Sequence, residues 1–209
     1  MQSDVKYHLG ARAELELFSG KRVSTELLCN PSHLEAVDPF VQGYTCAMQH
    51  AAGKDGMRKI LPIEIHGDAS VAGQGVLYES MCISSINHYQ TGGTIRVVCN
   101  NQIGFTTDPS YSRSSIYCTN LGRVFECPVI HVNGDSLEDV VRVFELAAQF
   151  RAKFHKSVVI DLVCYRRYGH NENDDPSITQ PLMYDHIKRI PDVFGKYCNQ
   201  LIAEEVITS

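Results

Sequence analysis

Asp68, within Ile65-His66-Gly67-Asp68-Ala69-Ser70, stands 33 positions before Asn101, within Val98-Cys99-Asn100-Asn101-Gln102-Ile103. A carboxylate, a carboxamide and a nearby backbone carbonyl are hard oxygen donors. Mg²⁺ takes such donors, with one or two carboxylates, and completes its octahedron with phosphate and water. Each group directly follows a short apolar run, residues 60–65 or 94–99, of the kind that forms a buried strand. Parallel strands bring the loops that follow them to one edge of a sheet, where open α/β proteins bind ligands. The spacing therefore points to a Mg²⁺-diphosphate site.

Further polar residues follow the same pattern. Asn30, Ser32 and His33 come after a strand expected at 22–29, and Tyr165, Arg166, Arg167, His170 and Glu172 come after one at 158–164. If all four strands are parallel, four loops deliver histidines, carboxylates, amides and arginines to one rim. Gly67, Gly73 and Gly75 flank the Asp68 turn, where glycine lets backbone N–H groups approach a phosphate. The dinucleotide fingerprint needs another glycine three residues after Gly75, where Tyr78 stands, and there is no Gly-Lys-[Ser/Thr] ending. Nicotinamide and P-loop nucleotides are thus disfavoured. His66-x-Asp68 with His170-x-Glu172 also carries the donors of a transition-metal site, and a lone Asp after a strand is more often a helix cap than a metal ligand.

The elements that must position these residues alternate from residue 60 onward. A strand at 60–65 leads to a helix at 74–88, then a strand at 94–99 and a polar loop at 102–114 carrying Gly104, Pro109 and Arg113. A short strand at 128–132 precedes a helix at 137–154, with Ser136 as the expected N-cap and Asp139 three residues on. Val140, Val141, Phe144, Ala147 and Phe150 recur there at helical spacing. The strand at 158–164 is the last. Before residue 60 the pattern is less regular: a strand at 22–29 and a helix at 33–52, with Pro39 near its start. A polar stretch at 166–180 precedes two short closing helices, and its acidic part, 172–175, is expected to be a solvated loop, with the ordering of Arg166 or Arg167 as an alternative. The alternation predicts an α/β fold, a parallel sheet flanked by helices, as a single domain over residues 1–209.

Bulk properties exclude other classes. Hydrophobic residues at 44% and charged residues at 21% are ordinary for a globular protein. A net charge of −5 gives no electrostatic support for binding nucleic acid or an anionic membrane. No apolar run approaches the length of a membrane span. The first six residues lack both a signal-peptide core and an Arg-rich transit pattern. Eight cysteines occur without a Cys-x-x-Cys pair, which favours a reducing compartment and disfavours thiolate zinc.

The longer motifs resemble a known family. Gly67-Asp68 and Asn100-Asn101, about thirty residues apart, resemble the Mg²⁺–thiamine diphosphate motif, with Ala69 where a third glycine is usual. Asp4-Val5-Lys6-Tyr7-His8-Leu9-Gly10 and Asn30-Pro31-Ser32-His33-Leu34-Glu35-Ala36 resemble the first component of 2-oxoglutarate dehydrogenase. So do Asn100-Asn101-Gln102-Ile103-Gly104-Phe105-Thr106-Thr107 and Cys164-Tyr165-Arg166-Arg167-Tyr168-Gly169-His170-Asn171-Glu172. The resemblance implies the diphosphate-binding domain of such an enzyme. It implies that Asp68, Asn101 and the carbonyl of Ile103 hold Mg²⁺, and that Ser32, Leu34, Ala69 and Ser70 line thiamine diphosphate. His8, His66 and His170 would face the reacting end, as neutral or protonated imidazoles that bind the substrate's distal carboxylate or steer protons.

The implied reaction is oxidative decarboxylation of a 2-oxo diacid in the tricarboxylic acid cycle, with the succinyl group passed to a lipoyl-bearing succinyltransferase component. A homodimer is implied, in the mitochondrial matrix of a eukaryote or the cytoplasm of a bacterium. The family's polypeptide extends beyond both ends of these 209 residues. Its second α/β domain carries the glutamate that pairs with the aminopyrimidine ring, so this chain alone is expected to be inactive. Two alternatives share these motifs: a first component acting on 2-oxoadipate, and a truncated non-catalytic module that assembles with the full-length enzyme.

Overall fold

The computed structural model describes residues 8–208. In chain order the strands β1 (Ala11–Glu16) and β2 (Arg22–Leu27) precede helices α1 (Asp38–Ala51) and α2 (Gly56–Lys59). Then come β3 (Ile63–Gly67), the short turns of helix α3 (Asp68–Val71) and α4 (Val76–Ile83), and β4 (Ile95–Asn100). Two more short helices, α5 (Pro109–Ser112) and α6 (Leu121–Val124), lead to β5 (Val129–Asn133), α7 (Leu137–Phe154) and β6 (Val158–Val163). Helices α8 (Pro181–Arg189) and α9 (Val193–Ala203) follow. The chain groups into two compact units, one of residues up to 60 with 74–91, the other of 61–73 with the residues from 92 onward.

The first unit contains a correction to the sequence reading. The strand expected at 22–29 does not join the parallel sheet; β2 pairs antiparallel with β1, from Ala11 opposite Leu27 to Glu16 opposite Arg22. Alternation explains why. Arg12, Glu14, Glu16, Arg22, Ser24 and Glu26 share one face, while Ala11, Ala13, Leu15, Val23, Thr25 and Leu27 share the other. Arg12 and Glu26 form an ion pair of 2.7 Å on the charged face. The loop at Asn30–His33 is therefore not one of four delivered by a single parallel sheet. The same unit packs α1 against α4, and the Gln49 amide nitrogen donates to the carbonyls of Ile60 and Thr91 at 2.9 and 2.8 Å. Glu35 accepts from the Leu77 N–H at 3.1 Å; burial raises its carboxyl above the usual range against that bond.

The second unit is the expected parallel α/β sheet, in the order β3-β4-β6-β5 with every pairing parallel. Ile95, Val97, Val158, Ile160 and Val132 point to one face, where Ala147 and the apolar stripe of α7 bury them. The intervening residues Glu64, His66, Arg96, Asn100, Asp161 and His131 take the other face. On β3, at the sheet edge, Ile63 and Ile65 remain exposed. Helix α7 starts where the sequence places it, with Ser136 at the N-cap position, but the hydroxyl does not cap a backbone N–H. It donates instead to Asp139 Oδ2 at 2.6 Å. Among the described residues no helix is long and apolar enough to cross a membrane.

Candidate functional site

The C-terminal edge of β3 and β4 gathers the two halves of the Asp68–Asn101 pattern. Gly67 stands in register with Cys99, so Asp68 and Asn101 leave the sheet from adjacent strands, whose backbones run about 4.8 Å apart. Asp68 opens α3, and its carboxylate is buried at the start of that turn. Asn101 Oδ1 accepts from the N–H of Ile103 at 3.3 Å, folding the loop after β4 back on itself. Gly104 brings that loop onto α3: a Cβ on Gly104 would lie 2.6 Å from the Ala69 methyl. Only a residue without a side chain fits there.

Three neighbouring segments hold this loop. Ile103 is buried with Tyr184 and Ile187 of α8. Gln102 Nε2 donates to the Cys164 carbonyl at 2.9 Å, and Arg166 Nη2 donates to the Phe105 carbonyl at 2.9 Å. Gln180 Nε2 donates to the carbonyl of Thr106. His170 meets the ring of Phe105 edge-on at 5.1 Å between centroids, so it stands beside the same loop. Glu172 and Asp175 are exposed, as in the solvated loop expected there, while the alternative that residues 172–175 order Arg166 or Arg167 is corrected. Arg166 donates to carbonyls of Phe105 and Tyr168, and Arg167 donates to the carbonyl of Ile190. Planar, multiply donating guanidiniums suit such backbone acceptors.

Electrostatics set Asp68 apart. Its side chain is 3% exposed, and Arg113 Nη1 lies 3.2 Å from Oδ2. Oδ1 is buried and accepts no hydrogen bond, and the Ser70 hydroxyl beside it in sequence is in the same state. Burial pushes the Asp68 carboxyl above the usual range, and the Arg113 charge pulls against that. A buried carboxylate oxygen without a donor is costly unless a cation or hydrogen-bond donor meets it. With the amide oxygen of Asn101 on the adjacent loop, the donors are hard oxygens. This set fits Mg²⁺ and a diphosphate.

The three singled-out histidines have different surroundings. His66 is buried on the polar face of β3; desolvation, then the nearby Arg96 charge, lower its pKa to about 4. It is a neutral imidazole at pH 7, so the protonated alternative expected from the sequence does not apply to it. His170 is exposed. His8 belongs to the first unit with Ser32 and Leu34; its Nε2 lies 3.3 Å from the Ser32 hydroxyl, its Nδ1 meets the Asn30 carbonyl, and Leu34 is exposed. Asp68, Ala69, Ser70, Asn101, Ile103, His66 and His170 all belong to the second unit.

Sequence reasoning passed over two groups. Arg113 was one residue of a polar loop, and nothing local marks it as the partner of a carboxylate 45 positions earlier. Asp161 had a signal: it is a charge in the middle of the apolar run Val158–Val163. It is 1% exposed and accepts from Asn100 Nδ2 at 3.1 Å, with His131 Nδ1 at 2.7 Å and the Thr119 hydroxyl at 3.4 Å.

Comparison with known proteins shows the family of this sequence. Residues 1–209 match the family model described as the dehydrogenase E1 component. The chain is 53% identical over 205 residues to the mitochondrial 2-oxoglutarate dehydrogenase of Dictyostelium discoideum. It is 52% identical over 206 residues to the mitochondrial 2-oxoglutarate dehydrogenase-like protein of Rattus norvegicus. It is 50% identical over 206 residues to the mitochondrial 2-oxoglutarate dehydrogenase of Schizosaccharomyces pombe. Each match covers 98% of this chain and 20% of the relative, so the chain spans about a fifth of their length.

Proposed function

Because the chain belongs to the dehydrogenase E1 component family, we propose that it is the diphosphate- and Mg²⁺-binding portion of a thiamine diphosphate-dependent 2-oxoglutarate dehydrogenase. The buried Asp68 carboxylate carries this reading, with one oxygen lacking a hydrogen bond, at the sheet edge where the Asn101 loop folds onto it. Asp68, Asn101 and the Ile103 carbonyl are the proposed Mg²⁺ ligands. Ala69 and Ser70 are the proposed cofactor contacts of the second unit, and Ser32 and Leu34, in the first, are proposed from their motif. When bound, thiamine diphosphate supplies the electron sink for the charge left as a 2-oxo acid loses CO₂.

The chain's own residues supply position and protons. The grip of α8 and of the segment after β6 keeps the Asn101 loop from drifting, and sub-ångström placement is what such sites require. His66 enters as a neutral hydrogen-bonding imidazole. His170, exposed and set against Phe105, is the better placed of these two to exchange protons with solvent or substrate. His8, whose ring meets Ser32 and Asn30, is the third proposed participant.

The proposal extends to the whole enzyme: a 2-oxo diacid substrate, succinyl transfer to a lipoyl-bearing partner, a homodimer, and the mitochondrial matrix. It is supported by relatives of 50–53% identity named as mitochondrial 2-oxoglutarate dehydrogenases. Calorimetry tests the core of it. Thiamine diphosphate should bind the enzyme containing this chain only when Mg²⁺ is present, and Asp68→Ala should abolish that binding while circular dichroism stays unchanged. Undiminished affinity in the variant would move the metal elsewhere.

A further inference from the structure

Asp68 is at once the proposed metal ligand and half of an ion pair, and the two roles compete. The Arg113 guanidinium, 9% exposed, sits 3.2 Å from Asp68 Oδ2. It is the one cationic side chain, among the described residues, that acts on this carboxylate. Arginine keeps its charge at any working pH. A divalent cation on Asp68 would therefore set three positive charges against one negative charge in a place nearly free of water. Charges there are weakly screened, so the guanidinium on Oδ2 opposes a cation arriving at the free Oδ1.

The segment that carries Arg113 is a small preformed piece. Asp108 caps α5 by accepting from the Ser110 N–H at 2.9 Å and from its hydroxyl at 2.6 Å. Arg113 closes α5, its N–H bonded to the Pro109 carbonyl at 3.2 Å. The guanidinium is thus presented to Asp68 by a capped turn. Its arrangement gives the carboxylate a counter-ion whenever no metal is there.

We propose that Arg113 makes capture of the divalent cation conditional on an accompanying diphosphate; this rests on the metal-site reading above. A bare cation at Oδ1 meets the repulsion of the guanidinium and weakens its hold on the shared carboxylate. A diphosphate arriving with the cation supplies negative charge for both, and phosphate oxygens suit a guanidinium. Cation and diphosphate then bind with positive coupling, and Arg113 is its source.

Mn²⁺ standing in for Mg²⁺ tests this without reference to turnover. Its affinity for the enzyme that contains this chain is measured by water-proton relaxation at fixed free Mn²⁺, with and without inorganic pyrophosphate. Arg113→Gln should bind bare Mn²⁺ at least about tenfold more tightly than the unaltered chain, and should lose at least about tenfold of the pyrophosphate enhancement. Arg113→Lys, which keeps the charge, should retain most of both. Arg113→Gln with unaltered affinity and unaltered enhancement overturns the proposal. A second measurement needs no variant. Amide exchange across residues 108–113 should quicken when Mn²⁺ alone saturates the site, because the Asp68 tether is weakened, and slow again when pyrophosphate joins it; exchange unchanged at both saturations overturns the proposal as well. Mn²⁺ binding indifferent to Asp68→Ala would instead overturn the metal-site reading itself, and this inference with it, so the two failures are told apart.

Discussion

The two faces of the parallel sheet are made by alternate residues of the same strands, yet they are built on opposite principles. Toward α7, Ile95, Val97, Val158, Ile160 and Val132 interlock with Ala147 and their contacts are non-directional. Toward the other side, Glu64 pairs with Arg96 at 2.7 Å, Arg96 and the Thr94 N–H reach the Ser157 hydroxyl, and Asp161 gathers Asn100, Thr119 and His131. The first face stabilises through area removed from water, about 1.5–3 kcal/mol for each fully buried aliphatic side chain. The second stabilises only while each partner is present, because an ion left alone in the interior is expensive. The apolar face can absorb small changes, whereas the ion pairs of the other face, set beside the buried Val98 and Val159, are close to all-or-none, and that face leads by way of β3 to Asp68.

That contrast predicts a ranking of effects. Arg96→Met should cost most, about 3–5 kcal/mol, because Glu64 at 3% exposure loses its guanidinium. Urea unfolding would measure it, and Glu64→Leu added to Arg96→Met should recover much of the loss. If the single variant unfolds like the unaltered chain, the two faces do not differ as described. His66 comes next. Its folded pKa of about 4 lies below the ordinary 6.5, so the unfolded chain binds more protons between those values. Stability is therefore full above about pH 6.5 and falls as pH drops toward 4, by about 3 kcal/mol in all. His66→Gln should flatten that part of the pH–stability curve; a curve of the same slope would put the acid sensitivity elsewhere. The smallest effect belongs to the apolar face. Ile160→Val removes one methylene group from a fully buried site and should cost about 0.5–1.5 kcal/mol at every pH, read by the same unfolding curves.

The apolar face was legible in the sequence because periodicity reports it directly. The runs around Ile63–Gly67, Ile95–Asn100 and Val158–Val163 mark strands, and the stripe of Leu137–Phe154 marks the helix that covers them. The Asp68–Asn101 spacing was legible too, since both positions are fixed by the ends of adjacent strands. What was not legible depends on partners distant in the chain. The period-2 alternation of Arg22–Leu27 identified a strand but not its antiparallel mate Ala11–Glu16. Arg113 is separated from Asp68 by 45 residues, and loop polarity alone does not say which acid an arginine meets. Likewise the neutral state of His66 comes from burial and from Arg96 on the neighbouring strand, neither of which appears in the local pattern. Ser136 shows the limit even for a local motif, since its hydroxyl bonds to Asp139 and leaves the helix N–H groups uncapped by it.

The claim that the sheet edge at Asp68 and Asn101 holds a metal-bound diphosphate is tested most directly by electron–nuclear double resonance. The sample is Mn²⁺ with thiamine diphosphate bound to the enzyme that contains this chain. The account predicts phosphorus hyperfine coupling from diphosphate oxygens on the metal, present in the unaltered protein and abolished by Asp68→Ala. Coupling of undiminished strength in Asp68→Ala would contradict it, since the diphosphate and its metal would then be held by other residues.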